Sequence, residues 1–266
     1  MNWSLPTVAL ITGSSAGIGR ALATELARRF QNPHSLIILT SRSLEKLKDV
    51  KSEIAKVNSN TKVVTLSWNL ENPQPAAGYA EALRKAVQES GLNPKDFSQA
   101  ICVHNAASIG DLSQRVINWA DPTVLQKEYN INVVSMHMIN SGFWTVFTGS
   151  SVKKVVNFSA DSALSPLPSF GMTAMAKAAR QISLSILAVE NPEVKVLHFK
   201  PGFADTESLR SIKETSFDAS ILEWMDDAYK KGLLTEPHIS KFLLDTLEQD
   251  SFKSGDIVGC PWPMEK

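Results

Sequence analysis

Short, almost wholly apolar runs recur along the chain. Each is separated from the next by a longer stretch in which apolar residues return every three or four positions. Residues 7–12 (TVALIT), 35–40 (SLIILT), 62–66, 100–104 (AICVH), 154–158 (KVVNF), 194–199 and 256–260 read as strands. Residues 17–30, 44–57, 81–89, 122–147 and 172–190 read as helical, and Pro192 stops the last of these. A strand that is apolar along its whole length is buried on both faces, as in a parallel sheet with helices above and below it. The expected fold is α/β: a single-domain, Rossmann-type, doubly wound parallel sheet of about seven strands spanning residues 1–266. Residues 203–233 break the rhythm, because they are charged and lie between two core-like segments. They read either as a mobile lid or as a plain surface helix pair.

The turn after the first strand carries the first chemistry. Gly13, Ser14, Ser15, Gly17, Ile18 and Gly19 lie between that strand and a helix N-terminus, in the spacing G-x-x-x-G-x-G. Glycines let the backbone turn tightly and come close to a pyrophosphate. The helix start offers unpaired N–H groups and the positive end of its dipole. A dinucleotide is the expected ligand. The second strand ends Leu39-Thr40-Ser41-Arg42-Ser43, with no carboxylate to hold a ribose 2′-hydroxyl. Arg42 is suited to a 2′-phosphate instead, which makes NADP(H) the expected cofactor.

Composition narrows the rest. The chain has 27 basic and 27 acidic residues, so nothing in its charge points to nucleic acid or an anionic membrane. Cys102 and Cys260 are too few for a disulfide framework and are expected to be buried thiols. The N-terminal segment lacks the basic region of a secretory signal, and no run approaches a membrane span of about 18 apolar residues. A soluble cytoplasmic protein without a metal site is expected.

Further segments connect the glycine turn to a known family. His104-Asn105-Ala106-Ala107-Ser108 follows the fourth strand. Asn130-Ile131-Asn132 lies in the long helix, and Lys177-Ala178-Ala179-Arg180 in the Ala-rich one. Pro201-Gly202-Phe203-Ala204-Asp205-Thr206 follows the sixth strand, and Phe252-Lys253-Ser254-Gly255 comes near the end. Over nearly its whole length the chain resembles the short-chain dehydrogenase/reductase family, and within it most closely the members that reduce pterin carbonyls. The resemblance implies an NADPH-dependent carbonyl reductase acting on a small carbonyl substrate, with a pterin as one candidate. It also implies a homodimer built on the helices at 122–147 and 172–190. In that family a Tyr donates a proton, a Ser steadies the carbonyl, a Lys lowers the Tyr pKa and holds the ribose, and an Asn anchors a water chain. Carried onto this chain, the last two are Lys177 and Asn132. The cofactor-contacting set adds Asn69, Leu70, Asn105, Pro201, Gly202 and Thr206, and the substrate-contacting set is Ser159, Phe203 and Gly259.

Two catalytic positions depart from the pattern. Counting back from Lys177, Thr173 stands at the Tyr position and Ala160 at the Ser position. A phenol begins near pKa ~10 and a neighbouring ammonium can lower it, whereas an aliphatic hydroxyl is a far weaker acid. Losing a general acid costs about 10²–10⁴ in rate. Ser159 points to the opposite face from position 160 on an extended strand. Ser162 faces the site if the segment stays extended. His104 is expected to be a packed loop residue, and Lys177 is itself a possible proton source through a water. Tyr79, Tyr129 and Tyr229 have no matching spacing to Lys177. Elsewhere, Ala16 replaces an Arg that helps hold the 2′-phosphate in the pterin reductases, Asn69 stands where many relatives have Asp, and Gly259 replaces the Asp that grips a pterin. Two readings stand: a reductase with an altered acid, or an NADP-binding pseudoenzyme with a regulatory or structural role.

Overall fold

The computed structural model describes residues 1–262. Seven strands form one sheet in the order β3-β2-β1-β4-β5-β6-β7, and all six neighbouring pairs are parallel. They are β1 (Thr7–Thr12), β2 (Leu36–Ser41), β3 (Lys62–Ser67), β4 (Gln99–His104), β5 (Val152–Phe158), β6 (Val194–Lys200) and β7 (Asp256–Gly259). The helices are α1 (Gly17–Arg29), α2 (Leu44–Val57), α3 (Ala76–Glu89), α4 (Pro122–Tyr129), α5 (Ser135–Val146), α6 (Gly171–Glu190), α7 (Glu207–Thr215), α8 (Ala219–Lys231) and α9 (Glu236–Gln249).

The side-chain period of two divides the core into layers. Ala9, Ile11, Ile37, Leu39, Val156 and Leu197 face α1, α2 and α9, where Leu22, Leu26, Leu47, Ile54, Leu243 and Leu247 cover them. Val8, Leu10, Ile38 and Cys102 face α3 and α5, covered by Leu83, Val87, Ile139 and Phe143. Val155 and Val196 lie under Leu184 of α6. Each such aliphatic side chain is worth about 1.5–3 kcal/mol when fully buried, and the layers account for the near-continuous apolar strands.

Strand order reverses between β1 and β4, since β2 and β3 run to one side and β5 to β7 to the other. Ligands in open α/β sheets bind at this switch, outside the carboxyl ends of the strands. The glycine turn after β1 and the 105–108 loop after β4 both open there.

Two expectations change, and a third takes a definite form. The long helix at 122–147 is interrupted: Asn130–Val134 is a π turn between α4 and α5. Such bulges insert one extra residue per turn and gather at functional sites. Residues 203–233 form two helices, α7 and α8. Leu209, Ile212, Ile221 and Met225 pack them on Leu112 and Phe170. His104 is the last residue of β4 and not part of the following loop.

Candidate functional site

The glycine turn has the geometry its composition suggests. Gly13 and Gly17 have φ of 68° and 54°, in the left-handed region that favours glycine. Gly19 is needed for space: a Cβ there would lie 2.4 Å from the Gly13 carbonyl oxygen and 2.6 Å from Asn105 Nδ2. Asn105 Nδ2 donates to the carbonyls of Thr12 and Gly13, at 2.9 and 3.0 Å. Thr12 Oγ1 accepts from Ala106 N at 3.1 Å, so the loops after β1 and β4 are joined. Ser14 is buried, and its hydroxyl donates to the Thr40 carbonyl of β2 at 3.3 Å. Ser15 and Ile18 are half-buried on the turn. No side chain caps α1, because Ala16 is its N-cap residue. Its first-turn N–H groups are therefore left to an anion. A cradle that a single Cβ would fill, under an uncapped helix start, fits the pyrophosphate of a dinucleotide.

At the ribose end, Arg42 is 77% exposed and its Nη1 lies 3.6 Å from Glu71 Oε1. Its guanidinium thus has one carboxylate neighbour and stays largely open to solvent. Asn69 Oδ1 accepts from Glu71 N at 3.1 Å, which shapes the turn after β3. Leu70 lines a small buried cavity with Thr12, Ala106 and Arg180.

The catalytic positions converge on the carboxyl ends of β4 and β5. Asn132 sits in the π turn, buried. Its Oδ1 accepts from Ser108 N at 2.9 Å and its Nδ2 donates to Ser108 O at 3.1 Å. Lys177 Nζ donates to the Phe158 carbonyl at the end of β5. Burial, and then the charge of Arg180, hold this ammonium well below the ordinary lysine range. Thr173 lies one helical turn before Lys177 and is buried. Ala160 is extended, with φ of −153°. Directly after it, Asp161–Ala163 forms a short 3₁₀ turn, so the segment does not stay extended as the placement of Ser162 requires. The Ser162 hydroxyl is buried without a hydrogen-bond partner among the described residues. Ser159 Oγ donates to Gln181 Oε1 of α6 at 2.9 Å. His104 is fully buried and donates from Nε2 to Asn140 Oδ1 at 3.4 Å. Desolvation, aided by Arg180, pushes it down to about 3, so it is neutral and no proton donor at pH 7.

The remaining expected cofactor and substrate residues lie after β6, around α7 and on β7. Pro201 and Gly202 follow β6, and Gly202 has φ of 74°. Thr206 Oγ1 accepts from Leu209 N at 3.3 Å and caps α7. Its Cγ2 lies 3.5 Å from where a Cβ on Gly17 would stand, so the start of α7 reaches the glycine turn. Phe203 packs edge-on against Trp224, with ring centroids 4.5 Å apart. Gly259 is exposed beside Lys200, whose Nζ is held by Asp161 Oδ1 at 2.6 Å.

Sequence reasoning gave Arg180 no role, yet it ties the site together. It is 1% exposed. Nη2 donates to the His104 carbonyl at 2.6 Å, Nη1 to the Ala106 carbonyl at 3.1 Å, and Nε to Asn157 Oδ1 at 2.9 Å. No carboxylate contacts it among the described residues. Its charge lowers the proton affinity of Lys177, His104 and His198 alike. The available signal was an arginine three positions after Lys177, on the face of an Ala-rich helix that turns to the sheet.

Known proteins resemble this chain in sequence and in fold. The model of the short chain dehydrogenase family matches residues 7–216. Sepiapterin reductase of Meriones unguiculatus is 34% identical over 254 residues, covering 94% of this chain and 95% of that protein. Sepiapterin reductase of Bos taurus is 31% identical, covering 94% and 92%. A benzil reductase of Bacillus cereus is 24% identical, covering 94% and 97%. Among solved structures, L-sorbose reductase from Gluconobacter frateurii complexed with NADPH and L-sorbose superposes with a TM-score of 0.78 at 19% identity, covering 99% of this chain and 98% of that one. A short chain dehydrogenase from Shigella flexneri complexed with NADP gives 0.77 at 22% identity, covering 97% and 98%. The chain belongs to the short-chain dehydrogenase/reductase family.

Proposed function

We propose that the protein is an NADPH-dependent reductase of a small carbonyl compound, related to sepiapterin reductase, in which Lys177 and not a phenol is the proton source. The observation that carries this reading is the pairing of an intact glycine cradle with a half-buried Lys177 on the Phe158 carbonyl. Gly13, Gly17 and Gly19 would hold the pyrophosphate, Arg42 the 2′-phosphate, and Asn105 and Lys177 the nicotinamide half. NADPH, when bound, supplies a hydride. The chain must then steady the carbonyl oxygen and give it a proton. Thr173 is too weak an acid and too short to replace a phenol. A desolvated ammonium gives up its proton more readily than an ordinary lysine, directly or through one water, and is recharged from solvent. Asn132 holds the Ser108 loop beside it.

A pterin is one substrate class consistent with these relatives. Against it, Gly259 supplies no carboxylate to grip an amino group, and Lys200 stands next to it. Residues 203–233 would act as the lid, since α7 touches both the glycine turn and the 112 region. A homodimer through α6 and a cytoplasmic location go with this reading, the latter supported by two cysteines that are both free thiols. A second reading, an NADP-binding pseudoenzyme, is favoured by the joint absence of a phenol at Thr173 and of a hydroxyl at Ala160.

NADPH consumption with sepiapterin and with a simple diketone tests the proposal, in the natural chain and in Thr173→Tyr/Ala160→Ser. Slow turnover in the natural chain, raised about 10²–10⁴-fold by the double substitution, is expected. Turnover only after the substitution favours the pseudoenzyme. No turnover in either contradicts a reductase pocket.

A further inference from the structure

Three charges from three separate elements meet at the ribose end of the cleft. Arg42 follows β2, Glu71 follows β3, and Lys127 lies on α4. Glu71 Oε1 is 3.6 Å from Arg42 Nη1 and 3.3 Å from Lys127 Nζ. The backbone, more than the ion pairs, brings them together. The Ser41 carbonyl accepts from Trp68 N, and the Arg42 carbonyl from Ser67 Oγ, both at 3.0 Å. The Glu71 carbonyl accepts from Nδ2 of Asn130, the first residue of the π turn, at 3.0 Å. Glu71 is therefore fixed from both sides, and its side chain is 31% exposed against 77% for Arg42 and 53% for Lys127.

Ion pairs this exposed contribute at most about 1 kcal/mol, so folding alone does not explain the cluster. Its position offers an explanation. The end of the second strand is where a dinucleotide fold reads the ribose 2′ position. A carboxylate there accepts from a 2′-hydroxyl, whereas a cation takes a 2′-phosphate. In this chain the cation follows β2 and a carboxylate reaches it from the turn after β3. We propose that the Arg42–Glu71–Lys127 cluster decides which adenine ribose the protein accepts, with Lys127 a second phosphate ligand and Glu71 the residue that limits preference for the phosphate. A 2′-phosphate displaces the Glu71 carboxylate from both cations. A bare 2′-hydroxyl donates to that carboxylate and leaves the cations paired. The inference rests on the dinucleotide reading above, and it requires no turnover.

The test is calorimetric titration of the full chain with adenosine 2′,5′-bisphosphate and with 5′-AMP, which differ only at the 2′ position. Glu71→Gln is expected to raise the preference for the bisphosphate about fivefold, the equivalent of ~1 kcal/mol. Lys127→Met is expected to lower bisphosphate affinity by a similar factor and leave 5′-AMP unchanged. Both effects shrink at high salt, because the charges are exposed. If both ligands bind and Glu71→Gln leaves their ratio unchanged, the cluster is a plain surface ion pair and the inference falls alone. If neither ligand binds the natural chain, the dinucleotide reading falls and takes the inference with it.

Discussion

Arg180 makes the site electrostatically unusual, since its charge is buried and answered only by two carbonyls and an amide. Its reach includes two fully buried histidines. His104 is pushed down to about 3 and His198 to about 4, in each case by burial first and Arg180 second. Asn157 Nδ2 donates to His198 Nδ1, which leaves Nε2 to donate to Ser185 Oγ. Both rings are neutral in the folded chain, while in the unfolded chain each binds a proton below about 6.5. Their contribution to stability is therefore complete above pH 6.5. It is lost as pH falls toward 4 and 3, by roughly 1.4 kcal/mol per pH unit for each histidine. Urea unfolding between pH 7 and pH 5 should show this slope, and His198→Gln should reduce it by about one histidine's share. An unchanged slope would mean that the ring is charged in the fold. At this scale the sequence was legible where a residue type has one purpose, as with Gly13, Gly17 and Gly19. Arg180 was not legible, because its partners His104 and Ala106 lie more than seventy positions away. Nor does spacing reveal that Glu71 lies against Arg42, since adjacent parallel strands bring those residues together.

Strands were the most readable elements. An apolar run of six residues between polar ends leaves little choice of boundary, and β1 begins and ends where the pattern changes. The π turn at Asn130–Val134 was hidden, because one extra residue in a turn hardly disturbs a period of 3.6. The outward face of α6 carries a different message. Met175, Ile182, Ile186 and Val189 are exposed on it, and Val189 is 83% exposed. Contiguous apolar surface of this kind marks an interaction site, and a second copy of the same helix would cover it. Light scattering should find a dimer for the natural chain and a folded monomer for Ile182→Asp/Ile186→Asp. A natural chain that is already monomeric, or a variant that remains dimeric, would remove α6 from the interface.

As a whole, the molecule collects its unpaired chemistry at one edge of the sheet. The glycine turn, the π turn, Lys177, Arg180 and the start of α7 all stand at the carboxyl ends of the strands, while the net charge of the chain is zero. The topology was legible because buried parallel strands have a distinctive composition. The state of the candidate site around Lys177 was not, because Thr173 and Ala160 say what is missing and only the packing shows what surrounds them. The central claim is that this edge holds a nicotinamide dinucleotide, and titration of NADPH into the natural chain and Gly19→Ala measures it most directly. One site per chain, abolished by the methyl group that would strike the Gly13 carbonyl, is the predicted result. An absence of binding, or binding that Gly19→Ala leaves intact, would contradict it.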